Sequence, residues 1–371
     1  MDLTRRLRRW AVRRPRVLVV DAPGSTALRW TVEAHLDRRQ WSPALSPAET
    51  DLLLVLGEPG AELARAVDVV WSQVPAPRHR TDISQDDDVA ATLDAAVEAL
   101  AEAAGRGRPA DDERPRPESL LEQRGEDAGD HGGMDHAATS HDDHAGMDHG
   151  GHGGMDVAGL PMAGTAPDRD GLQLDVLRVS LGPVLAGWPT GLLLQGRMQG
   201  DVLGEVTLRW TDADSGEGGP VGDSDDVRLL ALDQLGHFLQ VAGWPTAARD
   251  ARRARHLLRS AGRAHADAGH RLAVRLARRV RRSRTLAWAV RGIGAAGHEA
   301  PGAHGDVLDR VREWCDLVAA ARPAADELPD LPLEQVVRLL DGVELAAARL
   351  VVASLALAHP ATHQRGVTAR V

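Results

Sequence analysis

The sequence is short of the residues that carry most redox and nucleotide chemistry. It has one cysteine, Cys315, which excludes an internal disulfide and any iron–sulfur cluster held by the chain's own thiolates. Tyrosine is absent and Phe238 is the one phenylalanine, so the stacking platforms of single-strand nucleic-acid binders are missing. No run of about eighteen apolar residues occurs, and nothing is long enough to span a bilayer as a helix. The aliphatic runs near the N-terminus are followed by neither GxGxxG nor GxxxxGK[ST], so neither a dinucleotide nor a nucleoside triphosphate is implied.

What is present is unevenly spread. A formal net charge of −10 gives no overall attraction to nucleic acid. Yet RRLRRWAVRRPR, from Arg5 to Arg16, is strongly basic, the middle is acidic, and residues 249–284 hold a dense arginine run. The apolar run Val17–Val20 stops at Asp21 and Pro23, too short for a secretory hydrophobic region, so a cytoplasmic location is expected. The stretch HGGMDHAATSHDDHAGMDHGGHGGMD, residues 131–156, has no apolar periodicity and reads as a tether between two packable modules.

A chain of 371 residues predicts two domains, since single cores stop growing near ~250 residues. The expected fold is a small doubly wound α/β domain followed by an α+β domain, antiparallel strands and then a helical bundle, joined by a disordered His/Asp/Met-rich linker. The boundaries are a basic N-terminal helix at 1–15, the α/β domain at 16–105, the linker at 106–170 and the α+β domain at 171–360.

RVLVVD (16–21) and DLLLVLG (51–57) are continuous aliphatic runs of the kind buried parallel strands need. Each precedes a turn and a helix, the first with Leu28, Val32 and Leu36 at every fourth position and the second over 62–70. A helix over 89–103 closes these βαβ units. Ligands on such sheets sit beyond the carboxyl ends of the strands, here 21–26 and 58–60. From residue 171 the pattern turns to period two, with Leu192, Leu194, Met198 and Val202 inward and a turn at Gly200-Asp201. Helices follow over 225–243, with Val227, Leu230, Leu235, Phe238 and Leu239 on one side, then 245–261, 264–280, 306–321 and 333–358, the last between Pro332 and Pro360. Residues 2–14 form a basic helix with Leu3, Leu7 and Trp10 on one side, either solvated or lying on an acidic partner or an anionic surface.

In the tether, His131, His136, His141, His144, His149 and His152 alternate with Asp and with Met134, Met147 and Met155. Imidazole and thioether suit copper and other late first-row metals. A structural zinc site needs fixed spacing and a closed surrounding shell, so the implied binding of copper, nickel or zinc is weak and of variable stoichiometry. The competing reading is a flexible linker whose histidines gain charge below pH ~6.5. No other cofactor is implied.

Elsewhere the candidates are thin. Ser25 lies in a turn at a strand end without GxSxG, and Ser25 or Thr26 reads as a helix cap. Asp21 and Glu33 share that edge and read as solvated carboxylates. His298, Glu299 and His304 sit in one loop, but HExxH would need a histidine where Gly302 stands. Cys315 reads as core and not as a nucleophile, having no partner histidine at a recognisable distance. The arginine-rich helix 249–259 suits nucleic acid, solvent or an acidic partner.

Two segments resemble the related subunits of respiratory complex I and the nickel–iron hydrogenases. VLVVDAPGSTALRWTVEAHL and DLLLVLGEPGAELARAVDVVWSQVPAPRHRTDI are similar to the small, cluster-carrying subunit, with Ser25 and Leu28 near where cluster cysteines would stand; neither ligates iron. LGPVLAGWPTGLLLQGRMQGDVLGEV, with Gly182-Pro183 and Gly200-Asp201-Val202, is similar to the start of the large subunit, and the nickel-binding cysteine pairs are missing. The resemblance implies a fused, degenerate pair acting as a non-catalytic scaffold or accessory subunit of a membrane-associated oxidoreductase or ion-translocating assembly. It places the chain at the cytoplasmic face of the cell membrane, with the complex's protein subunits as partners, anionic lipid at the basic N-terminus and no nucleic acid. Two alternatives remain: a metal-handling protein acting through the His/Met tract, and an oxidoreductase subunit acting on a quinone or a small polar substrate.

Overall fold

The computed structural model describes residues 3–106, 164–167, 171–213, 226–295, 305–319, 331–357 and 359. They fall into two compact units, 1–112 with 178–371, and 113–177.

In the first unit, α1 (Leu3–Ala11) leads into β1 (Arg16–Asp21), α2 (Thr26–Arg39), β2 (Ser42–Pro43), β3 (Leu52–Leu56), α3 (Ala61–Gln73), β4 (His79–Ile83) and α4 (Val89–Arg106). The four strands are parallel, in the order β2-β1-β3-β4. Every residue of LLLVL in β3 is buried, since this central strand is covered on both faces. Leu52, Leu54 and Leu56 pack with Leu28, Val32 and Leu36 of α2 and Leu93 of α4. Leu53 and Val55 pack with Leu63 and Val67 of α3 on the other face. The α/β domain is as expected, with two strands the pattern did not give. β2 is two residues long, and β4, reading HRTDI, is an edge strand where polar side chains are tolerated. In α1, Leu3, Leu7 and Trp10 are exposed, and Val12, just past it, packs on Leu100 and Ala104 of α4.

In the second unit, β5 (Gly164–Pro167) pairs antiparallel with the first residues of β6 (Gln173–Leu181), Gly164 opposite Val176 and Pro167 opposite Gln173.

The first unit continues with a hairpin, β7 (Leu192–Gln199) and β8 (Val202–Trp210), turning at Gly200-Asp201 as expected. Then come α5 (Val227–Val241), α6 (Pro245–Arg259), α7 (Arg263–Arg281), α8 (Arg284–Val290), α9 (Val307–Val318), α10 (Leu333–Leu340) and α11 (Leu345–Ala353). Leu192, Leu194 and Leu203 share one core with Leu232, Leu235, Phe238, Trp314 and Val351.

Two details depart from the sequence pattern. Val202 is 40% exposed and Leu203 is inside. Between the pairs Gln195–Thr207 and Arg197–Gly204, β8 carries one more residue than β7, with Glu205 at φ +51°, and this bulge flips the alternation. The single helix expected over 333–358 is two, broken at Gly342 (φ +76°). There the hairpin tip takes the backbone bonds: Gly342 N–H donates to Leu203 O at 2.8 Å, Leu203 N–H to Val343 O at 2.9 Å and Leu345 N–H to Asp201 O at 2.8 Å.

Gly57, just after β3, has φ +76°, and a Cβ there would lie 2.0 Å from Ser25 Oγ. Gly57→Ala is expected to cost about 1–3 kcal/mol in urea unfolding, and more than Gly200→Ala, where φ is also positive but the space is open. Equal losses at the two positions would show that the Ser25 contact contributes nothing.

Candidate functional site

β2 and β3 lie on opposite sides of β1, so the winding direction reverses there and the crevice between the ends of β1 and β3 is where such a sheet takes a ligand. The chain's own later residues fill it. Thr190 Oγ1 donates to Asp21 Oδ1 at 2.9 Å. The Asp212 carboxylate accepts from Glu62 N–H at 2.8 Å and Leu63 N–H at 3.0 Å at the head of α3. The Glu62 carboxylate accepts in turn from Asp212 N–H at 3.1 Å and from Arg209 Nη1 at 2.8 Å. Gly60 permits the approach, since a Cβ there would meet Asp212 Cγ at 2.3 Å. Asp212 thus supplies what a helix N-terminus otherwise draws from an anionic ligand.

Beside this crevice the α/β module meets α5 and α6 through a buried ionic network. Arg29 on α2 donates through Nε to Asp21 at 2.8 Å, through both terminal nitrogens to Asp233 on α5 at 3.1 and 2.6 Å, and through Nη1 to Glu33 at 3.3 Å and His237 Nε2 at 3.3 Å. Arg255 on α6 donates to Asp233 and to Glu33. Its guanidinium lies 5.0 Å from the Trp30 ring centre, and Arg259 lies 5.3 Å from the same ring. Arg255, Trp30, Asp233 and Arg29 are all nearly or wholly buried. Burial opposes every one of these charges, but the pairing wins. Asp233, Asp21 and Glu33 hold Arg29 well above its ordinary value, and Arg29 and Arg255 hold Asp233 well below its own. Arg255 and Arg29 bring Glu33 down to about 2. The histidines go the other way for the same reason: burial lowers His237 and, aided by Arg255, takes His256 to about 3. The cluster is a neutral imidazole pair beside three carboxylates, Asp21, Glu33 and Asp233, and two guanidiniums, Arg29 and Arg255, an arrangement that joins the modules.

The sequence candidates fall out accordingly. Asp21 and Glu33 are in the network and not solvated. Ser25 is the N-cap residue of α2, but its side chain makes no capping hydrogen bond; it is buried against Gly57. Cys315 is fully buried in α9, and burial pushes its thiol up to about 12, which makes it inert. His298, Glu299 and most of their loop, with His304, lie outside the described residues. So do His131, His136, His141, His144, His149, His152, Met134, Met147 and Met155. Sequence reasoning missed Arg29, Asp233, His237 and Arg255. The available signal was Asp233 and His237, four apart and both on a largely apolar helix.

The strongest surface feature is the arginine run. Arg249, Arg253, Arg259, Arg263, Arg271, Arg275, Arg278, Arg279, Arg281, Arg282, Arg284 and Arg291 are exposed, and Asp250 and Asp267 are the only carboxylates in that stretch. Asp250 pairs with Arg279 at 3.3 Å, and Arg281 pairs with Asp316 of α9. Trp288 on α8 is 85% exposed among these arginines. Between α6 and α7 lies an open groove of about 440 Å³ lined by Asp250, Arg253, Leu272, Arg275, Leu276 and Arg279.

Comparison with protein-family models, curated proteins and solved structures returns no match. These findings correct the functional expectations. Nothing supports kinship with complex I or the hydrogenases, and no helix among the described residues is long and apolar enough to cross a membrane. The accessory-subunit role and the placement at a membrane face are therefore set aside. Among the described residues no group of three or more His, Cys, Asp or Glu could hold a metal ion; the His/Met tract of the metal-handling reading lies outside them. The quinone or small-substrate reading fails because Thr190 and Asp212 occupy the strand ends it needs.

Asp233→Ala leaves two buried guanidiniums short of a carboxylate and is expected to cost about 3–5 kcal/mol by urea unfolding. Arg80→Ala, which removes the Asp68 pair at 2.7 Å whose carboxylate is 70% exposed, should cost under ~1 kcal/mol. Comparable losses would show that the network does not hold the modules.

The pH dependence follows from Glu33 and His256. Both folded values lie below their ordinary ones, 4.5 and 6.5, so as pH falls the unfolded chain takes up protons first. Stability is full above pH 6.5, falls from 6.5 toward 3 through His256, and falls further from 4.5 toward 2 through Glu33. Urea midpoints at pH 7.5, 5.5 and 4 should decrease in that order; a flat profile would refute the burial of these groups.

Proposed function

We propose that this chain is a binding protein that docks an acidic protein partner on the arginine face of α6, α7 and α8. The observation that carries the reading is the solvent side of α7, where Arg271, Arg275 and Arg278, with Arg282 just past the helix end, recur at spacings of four, three and four, all exposed. Such a stripe presents one row of guanidiniums along a helix. Each guanidinium pairs a carboxylate through two parallel hydrogen bonds, which an ammonium does not; the chain contains no lysine at all. A rigid body stands behind the stripe: the ionic network fixes α6 to the α/β module, and the filled strand-end crevice supports a binding role over a catalytic one.

The same face favours a protein over a nucleic acid. The groove within it has an apolar floor, Leu272 and Leu276, which a phosphate backbone leaves unfilled.

Fluorescence anisotropy of the full chain with labelled polyglutamate tests this, against single-stranded DNA of equal length. Polyglutamate is expected to bind at low salt, to weaken as salt rises, and to bind about tenfold or more weakly to the triple variant Arg271→Glu, Arg275→Glu, Arg278→Glu. Preference for DNA, or indifference to the charge reversal, would overturn the reading.

A further inference from the structure

We infer that the groove between α6 and α7 seats one apolar side chain of the acidic partner, with carboxylates of the same segment on either side of it. The inference rests on the acidic-partner reading and names the chemistry that the partner must present.

The groove runs beside a seam in which the two helices meet at both ends, Gly269 against Ala254 and Leu258 at one and Arg279 with Asp250 at the other. At Gly269 they approach so closely that a Cβ would lie 2.9 Å from Leu258 N and 3.1 Å from Ala254 O. A glycine there sets the close crossing, and farther along α7 larger residues face the groove. Leu276, 2% exposed, and the half-buried Leu272 make its floor. Its walls are Arg253, Arg275 and Arg279.

These arginines are not equivalent. Arg279 is held in place: its guanidinium lies 4.8 Å from the Trp244 ring centre and 3.3 Å from Asp250. That pair shows how a carboxylate sits at the lip of this groove. Arg253 and Arg275 have no carboxylate within ion-pair distance among the described residues, and both are exposed. A leucine or similar side chain on the floor brings the residues before and after it past the two free guanidiniums. The volume of about 440 Å³ lies within the range of small-ligand sites and admits a side chain with its adjoining backbone. The partner's motif is therefore acidic–apolar–acidic, not a uniform polyanion.

The test uses the full chain and two labelled peptides of equal length and charge, one of glutamate and glycine, the other with a central glycine replaced by leucine. The leucine peptide is expected to bind about tenfold more tightly. Leu272→Gln, on the half-buried side of the floor, should abolish that gain, Leu272→Met should keep it, and Arg253→Gln with Arg275→Gln should weaken both peptides. Equal binding of the two peptides overturns the groove inference and leaves the acidic-partner reading standing. A gain that survives Leu272→Gln also overturns it, because the leucine then sits elsewhere. Binding of neither peptide, whether or not DNA or anionic lipid vesicles bind, overturns both.

Discussion

The arrangement of this chain depends on the bidentate grip of Arg29 on Asp233, closed into a ring by Arg255 and Glu33. The residues come from helices more than 200 positions apart in sequence. Buried ion pairs add little net stability over a well-packed apolar joint, but they strongly penalise any arrangement that leaves one member alone. Their contribution here is orientation: α2 and α6 meet in one register or leave a charge stranded. That register fixes where the arginine stripe of α7 stands, since α7 packs on α6.

The same constraint bears on the place where the α/β module's topology offers a ligand site. Its strand order creates a crevice, and the second module fills it with Thr190 and Asp212. The fold's usual site has become part of a joint. Binding is left to the helical surface, where guanidiniums outnumber carboxylates and an apolar floor lies between two of them.

Much of the scaffold was legible in the sequence. Continuous aliphatic runs such as LLLVL are unambiguous because a central parallel strand must be apolar on both sides. The period-two run from Leu192 and the long apolar helix at 227–241 were equally plain. What was not legible depended on partners distant in sequence. The bulge at Glu205, which turns Val202 outward, and the break at Gly342, where the hairpin tip takes over the backbone bonds, follow from how β8 pairs. The ionic network was hidden for the same reason. Arg29 and Glu33 look like solvent-facing residues of an ordinary helix until Asp233 and Arg255 arrive from the other module. The arginine run was visible as composition, but which of its members face water required the helical packing.

The reciprocal capping between Asp212 and Glu62 also bears on how the chain can be divided. The first module ends in sequence near residue 106, yet the head of α3 is finished by a residue about 150 positions from it. A fragment cut at the apparent boundary would carry a helix whose first amides face only water, beside a Glu62 that has lost Arg209. The boundary read along the sequence therefore does not separate independent pieces of architecture, and a recombination that exchanged either half would have to bring along the matching contact residues.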